Sequence, residues 1–167
     1  MIILGIDPGY AITGYGIIAK DKGNLKAIDY GVITTPAKAY FPLRLRDIHE
    51  SLSHLINEFR PDCVAVEELF FSRNTTTAIG TAQARGVAVL AAAQAGKPVY
   101  EYTPLQVKVA VTGYGRAEKL QIQEMVRMLL KLKQQPKPDD AADALAVAIC
   151  HAHSGNRLDS LAVGGYQ

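Results

Sequence analysis

The sequence has few cysteines, no long hydrophobic run and almost no net charge. Its two cysteines, Cys63 and Cys150, are too few for a disulfide framework or a four-cysteine zinc site. The first residues contain no basic segment, and Asp7 interrupts their apolar run, so we expect no secretory signal. Polar residues break the alanine-rich stretch 82–95, which excludes a transmembrane span there. These absences predict a soluble cytoplasmic protein.

The composition is that of an ordinary globular chain. Of 167 residues, 49% are hydrophobic and 20% are charged, which excludes an intrinsically disordered polymer. We find no repeat, linker or low-complexity segment. We therefore predict one domain over residues 1–155, followed by a flexible tail over 156–167 with glycines and few apolar groups.

The charge is unevenly distributed along the chain. The whole sequence carries +2, but residues 104–138 contain seven Lys and Arg against two Glu, a net charge of +5 that leaves −3 elsewhere. Such asymmetry favours a surface that meets a polyanion, although a solvated helix face explains the same charges.

Hydrophobic periodicity predicts an α/β fold. Short-loop strands are expected within residues 2–34, helices at 45–59, 75–95, 120–132 and 139–153, and further strands at 63–66 and 99–102. This order predicts a mixed five-stranded sheet, antiparallel at one edge, with helices on both faces.

Acidic residues stand at the ends of three predicted elements. They are Asp7, Glu67, Glu68, Asp139, Asp140 and Asp143. Ligands of open α/β sheets bind beyond the carboxyl ends of the strands, where these acids would meet. A purely structural role is an alternative to ligand binding for some of these acids. Asp7 suits an Asx turn, and Asp139 or Asp140 suits a helix N-cap. Spacing alone chooses neither between Glu67 and Glu68 nor between Asp139 and Asp140.

Clustered carboxylates predict a particular kind of metal site. Their hard oxygen atoms suit Mg²⁺ or Mn²⁺, and no histidine–cysteine cluster suggests zinc. Two such ions about 3.5–4 Å apart can hold the attacking and leaving oxygens of a phosphoryl displacement.

Several motifs resemble one family in order along residues 2–153. They are Gly5-Ile6-Asp7-Pro8-Gly9, Val66-Glu67-Glu68-Leu69-Phe70, Ala82-Gln83-Ala84-Arg85-Gly86, Gly113-Tyr114-Gly115-Arg116-Ala117-Glu118-Lys119 and Asp140-Ala141-Ala142-Asp143-Ala144-Leu145. This combination closely resembles the RuvC Holliday junction resolvases. The resemblance implies a ribonuclease H-like fold and a homodimeric, metal-dependent endonuclease. Such an enzyme resolves four-way DNA junctions in recombination and repair by paired nicks, and works with the RuvA–RuvB branch-migration complex.

The resemblance also assigns roles to residues of this chain. It implies that Asp7, Glu67, Asp140 and Asp143 hold two Mg²⁺ ions, which leaves Asp139 free to cap its helix. We expect 5′-phosphate and 3′-hydroxyl ends, with Lys119 stabilising the phosphate charge or orienting the nucleophile.

Further residues are expected to contact DNA. The resemblance places Lys108 near the cleavage site and Phe70 against junction bases, while Phe71 is expected to fill the core. Arg73 follows these aromatic residues, and Arg116 lies in the basic segment, so both are additional candidates for DNA contacts.

The helix predicted over residues 75–95 carries small side chains. They are Gly80, Ala84, Ala88, Ala91, Ala92 and Ala95. Small residues permit close helix packing, either within one chain or across a dimer, and the resemblance favours a dimer contact by this helix.

Two other functions remain possible on the residues alone. A nucleotide-binding protein of the actin and sugar-kinase type also places acids and glycines near its first strand, but it needs two such halves. A non-catalytic four-way-junction binding module would not require the four acids.

Overall fold

A five-stranded mixed sheet forms the centre of the structure, a computed structural model that describes residues 1–69 and 75–154. Its strands are β1 (Ile2–Asp7), β2 (Ile12–Asp21), β3 (Asn24–Thr34), β4 (Cys63–Glu67) and β5 (Val99–Tyr102). They stand in the order β3-β2-β1-β4-β5. Strand β1 pairs antiparallel with β2 and parallel with β4, and β4 pairs parallel with β5. The predicted mixed sheet is therefore present, with its antiparallel edge at β2 and β3.

Within the described residues, five helices cover the two faces of the sheet. They are α1 (Phe41–Phe59), α2 (Thr75–Gln94), α3 (Pro104–Thr112), α4 (Lys119–Leu129) and α5 (Asp139–His153). One apolar core lies between the sheet and α1 with α2, and the other between the sheet and α3, α4 and α5. No helix of the described ranges combines the length and the apolarity needed to cross a membrane.

Helix α5 is the most buried helix of the fold. Its side chains from Ala141 to Ala152 are buried, apart from the half-buried Asp143. Leu145 and Ile149 are fully removed from water, and each contributes about 1.5–3 kcal/mol on burial.

A polar cluster fixes the far end of α5. His151 is 2% exposed, with Nδ1 2.8 Å from the Tyr102 hydroxyl and Nε2 3.0 Å from Cys63 Sγ. Burial lowers the pKa of His151 to about 4. These contacts tie α5 to β4 and β5.

The sequence did not lead us to expect α3. Its first turn carries a capping box, in which the Thr103 hydroxyl accepts from the Gln106 N–H and the Gln106 side chain accepts from the Thr103 N–H. Leu105 and Val109 are exposed while Val107 and Val111 are buried. Because apolar residues lie on opposite sides of α3, the helix has no amphipathic stripe to detect.

Candidate active site

Two acids end neighbouring parallel strands on the same face of the sheet. The register pairs Ile6 of β1 with Val66 of β4, so the next residues, Asp7 and Glu67, stand side by side. Side chains alternate between the faces of a strand. Both acids therefore point towards α5, and Glu67 rather than Glu68 is the partner of Asp7.

Close contact between α5 and the sheet brings a second pair of acids to this position. A Cβ atom on Gly14 would stand 2.0 Å from the carbonyl oxygen of Asp140, and one on Gly5 would stand 2.2 Å from that of Ala144. The helix backbone thus lies directly on β1 and β2, which a larger residue at either glycine would prevent. This contact places Asp140 and Asp143 near Asp7, whose carboxyl group experiences the charges of both.

Asp7 and Glu67 are joined by a side-chain hydrogen bond. Burial, followed by the negative charge of Glu67, raises the pKa of Asp7 to about 8. Burial also raises the pKa of Glu67, although its hydrogen bond with Asp7 acts in the opposite direction. Because burial and mutual repulsion both disfavour two adjacent negative charges, the pair retains a shared proton more readily than two isolated carboxyl groups would.

Lys119, the first residue of α4, lies between two acids of α5. Its Nζ is 3.1 Å from Asp139 Oδ2 and 3.3 Å from Asp143 Oδ2. Burial raises the pKa of Asp143, while Lys119 opposes this effect. For Lys119, partial burial lowers the pKa, but the hydrogen bonds and charges of Asp139 and Asp143 outweigh it and raise the pKa overall.

The expected capping role of Asp139 is wrong. Pro138 is the N-cap of α5, and among the described residues there is no side-chain capping hydrogen bond at this end of the helix. Asp139 is the first helical residue, and its Oδ1 accepts a 2.9 Å hydrogen bond from Gln123 Nε2. Its carboxylate is therefore directed towards α4 rather than towards the backbone of its own helix.

A groove of about 240 Å³ connects these acids to the basic segment. Its lining consists of Glu67, Pro104, Val107, Lys108, Lys119, Ile122, Asp143 and Ala146. Lys108 reaches it from α3, and the charges of Lys108 and Lys119 both act on Glu67. Arg116 is exposed in the segment between α3 and α4. The groove is thus lined by both carboxylate and ammonium groups.

The acids suit a hard divalent cation in their chemistry. Asp7, Glu67, Asp140 and Asp143 offer carboxylate oxygens, and burial, followed by the negative charges of the neighbouring acids, raises the pKa of Asp7. Within residues 1–69 and 75–154, however, no three acidic, histidine or cysteine side chains form a ready-made metal-binding group. Asp7 nevertheless interacts electrostatically with Glu67, Asp143 and Asp140, so the four acids form one group of negative charges.

Some predictions concern residues outside those that the structure describes. These residues are Phe70, Phe71, Arg73 and the predicted tail over residues 156–167.

Sequence reasoning missed the contribution of Asp139 and Gln123 to this site. Gln123 and Lys119 are four residues apart and so share one face of α4, a spacing visible in the sequence. Nothing local indicates that this face meets the first turn of α5, because that contact depends on how the two helices pack.

The architecture and the arrangement of acids at the strand ends define a ribonuclease H-like protein with a nuclease-type acidic site. A family model described as crossover junction endodeoxyribonuclease RuvC matches residues 3–151. The chain belongs to this family.

Individual relatives agree with the family match. Crossover junction endodeoxyribonuclease RuvC of Alkaliphilus metalliredigens is 64% identical over 93% of this chain and 95% of its own length. The protein of the same name from Desulfitobacterium hafniense is 62% identical over 96% of this chain and 98% of its own length. A solved structure of T. thermophilus RuvC in complex with Holliday junction substrate superposes with a TM-score of 0.87. It is 40% identical and covers 92% of this chain and 93% of its own.

These comparisons confirm the family resemblance, the ribonuclease H-like fold and the assignment to a family of endodeoxyribonucleases. The sequence interpretation of the chain as a junction-resolving nuclease, rather than a nucleotide-binding half of a kinase-like protein, is thereby confirmed.

Proposed function

We propose that this chain is a metal-dependent endonuclease that resolves four-way DNA junctions by paired nicks. The observation that carries the proposal is the hydrogen-bonded pair of Asp7 and Glu67, with Asp143 beside it and two lysines on the same groove. Relatives up to 64% identical are named crossover junction endodeoxyribonucleases, and a solved relative is described in complex with a Holliday junction substrate.

The proposed metal ligands are Asp7, Glu67, Asp140 and Asp143. We propose two Mg²⁺ ions per subunit, with Mn²⁺ able to substitute, because oxygen-only ligand sets suit both ions. When bound, such ions polarise the scissile phosphate and lower the pKa of a bound water. Asp7 must lose its shared proton to serve as a ligand, so metal binding and deprotonation of the Asp7–Glu67 pair are coupled.

The lysines supply positive charge beside the acids. The ammonium group of Lys119 is positioned by two carboxylates at the edge of the groove, where it would stabilise negative charge on a phosphate. Lys108 lines the same groove and is proposed to hold the DNA backbone, and Arg116, exposed between α3 and α4, is proposed as a further backbone contact. Phe70 and Arg73 remain proposals for contacts with junction bases and backbone.

A homodimer is proposed through the outer face of α2. Four of the small residues, Ala84, Ala88, Ala91 and Ala92, pack inside the chain's own core. The opposite face presents an uncharged stripe of residues separated alternately by four and three positions. This α2 stripe consists of Ile79, Gln83, Gly86, Leu90 and Ala93, all of them exposed.

Gly86 at the centre of the α2 stripe supports the pairing of two such helices. A Cβ atom there would meet nothing within 4 Å, so packing inside the chain does not require glycine. Glycine in a helix interior costs about 1 kcal/mol relative to alanine, and close approach of a second helix offsets that cost. Two-fold pairing would present two equivalent sites to a junction with two equivalent strands.

The expected products are paired nicks with 5′-phosphate and 3′-hydroxyl ends. By family resemblance, the RuvA–RuvB branch-migration complex is the proposed protein partner, which co-purification with a junction-bound RuvA–RuvB assembly would test.

The decisive experiment compares a synthetic four-way junction with a linear duplex of the same sequence. With Mg²⁺, we expect symmetric nicks in two opposite strands of the junction and far slower cleavage of the duplex; chelation should stop nicking without abolishing binding. Junction binding without nicking in either Mg²⁺ or Mn²⁺ would identify a non-catalytic binding module instead.

A further inference from the structure

Among the described residues, Asp139 makes two polar side-chain contacts, and both are with α4. Its Oδ2 lies 3.1 Å from Lys119 Nζ, and its Oδ1 accepts from Gln123 Nε2 at 2.9 Å. Gln123 is 6% exposed, so its amide group is fixed by its surroundings and in turn fixes the carboxylate. Asp139 is therefore an oriented acceptor for the ammonium group of Lys119.

The contribution of this contact to stability is small. The side chains of Lys119 and Asp139 are 53% and 60% exposed, and exposed ion pairs contribute little to folding. Asp139 also leaves the backbone N–H groups of α5 uncapped. Neither helix capping nor the stability of the fold accounts for its orientation.

The location of the ammonium group provides a better explanation. Asp139 and Asp143 are four residues apart on α5, and Lys119 Nζ lies within 3.3 Å of both. With Asp143 as its only partner, the long and flexible side chain of Lys119 would have a single anchor. That anchor is also a proposed ligand of the cation. A second anchor outside the proposed ligand set restricts the ammonium group to the edge of the groove.

We propose that Asp139 is a positioning residue that, together with Gln123, holds Lys119 where it meets the phosphate of the scissile bond. This inference rests on the proposed nuclease function, since Lys119 is given a phosphate to meet. It adds Asp139 and Gln123 to the four acids and two lysines already assigned to the site.

The proposal predicts opposite effects on binding and on chemistry. Asp139→Asn removes a negative charge beside the groove, so junction DNA should bind at least as tightly. The same change releases one anchor of Lys119, so the single-turnover cleavage rate at saturating Mg²⁺ and enzyme should fall about tenfold. Asp139→Glu keeps the charge and should restore part of the rate.

A double-mutant cycle shows whether Asp139 acts through Lys119. In a Lys119→Met background, Asp139→Asn should have no further effect on the cleavage rate beyond about twofold. Glu124→Gln is the matched control, because it neutralises an acid of α4 that pairs with Arg127 outside this contact. It should leave the cleavage rate unchanged.

A readout without DNA separates this inference from the proposed function. Acetylation of Lys119 at fixed pH, measured by mass spectrometry against Lys133, should rise severalfold in Asp139→Asn and remain unchanged in Glu124→Gln. Unchanged acetylation would overturn the positioning role even if the wild-type protein resolves junctions. Increased acetylation in a protein that nicks no junction would leave the contact standing and reject the nuclease function.

Two further outcomes would overturn the proposed positioning role of Asp139. A faster cleavage rate in Asp139→Asn would show that Asp139 withholds Lys119 from the phosphate, which overturns the proposal. An equal loss of rate in the wild-type and Lys119→Met backgrounds would show that Asp139 acts without Lys119, and would overturn it as well.

Discussion

Asp7 and Glu67 end two parallel strands side by side and share a hydrogen bond, although both are acids in a largely buried position. Such a pair is unfavourable for folding because burial and mutual repulsion both oppose ionisation. The chain therefore maintains an arrangement that destabilises the free protein, and the proposed cations would make that arrangement favourable.

The first prediction separates stability from catalysis at Asp7. Asp7→Asn should abolish nicking while junction binding is retained, because a proposed metal ligand is lost. Without divalent ions at pH 7.5, its free energy of unfolding should exceed that of the wild type by at least about 1 kcal/mol. Nicking assays, gel-shift titrations and denaturant unfolding measure the three quantities.

Asp21→Asn, at the exposed end of β2, is the matched control for this change and should alter none of the three. Near wild-type nicking by Asp7→Asn with intact binding would contradict the assignment of Asp7 to the metal site.

The second prediction concerns the α2 stripe. Leu90, which follows Gly86 in the stripe, is 50% exposed, and Leu90→Arg would place two positive charges close together in a helix pair. We expect this variant to sediment as a monomer with an unchanged thermal midpoint at low concentration. Leu43→Arg on α1, where the leucine is 43% exposed, should remain dimeric. A Leu90→Arg dimer would place the interface elsewhere.

The third prediction concerns the phosphate contact of Lys108. Lys108→Ala should weaken junction binding several-fold, and the slope of log Kd against log salt should fall by about one. Lys26→Ala, on the exposed edge strand β3, should leave that slope unchanged. A Lys108→Ala protein that fails to fold would show a structural residue instead.

The fourth prediction concerns pH and the buried His151. Its pKa is lowered to about 4 in the folded protein from 6.5, so the unfolded chain takes up the proton first as the pH falls. The stability from this group is complete above pH 6.5 and falls towards pH 4, with a loss of about 2 kcal/mol between pH 7.5 and 5.

His151→Gln should remove that loss, as measured by denaturant unfolding at both pH values. The acids Asp7, Glu67 and Asp143 have raised pKa values and act in the opposite sense, but they are common to both proteins. Equal pH dependence in the two proteins would show that the imidazole is protonated when folded.

The sequence predicts most of the fold because its elements are locally encoded. Strand β4 and helix α5 begin and end near the residues expected from their apolar patterns. Helix α3 was missed because its apolar residues lie on opposite sides, although Thr103, Pro104 and Gln106 carried a helix-start signal.

The candidate site was less accessible to local reasoning. Alternation along β4 could not tell Glu67 from Glu68 until the register with β1 fixed which face meets α5. Similarly, a first-turn acid is normally read as a cap, yet Asp139 is directed to Lys119 by the packing of α4 against α5. Relations between elements, rather than patterns within them, decide both cases.

The backbone of α5 packs directly on Gly5 and Gly14, so no flexible segment separates the acids of α5 from those of the strands at this contact. The helix that bears two of them has no spacer through which it could slide or tilt relative to the strands that bear the others. We expect the accommodation of cations or DNA at this end to come mainly from rotation about side-chain bonds. Slow opening and closing, if the enzyme shows any, must arise in segments outside this backbone contact.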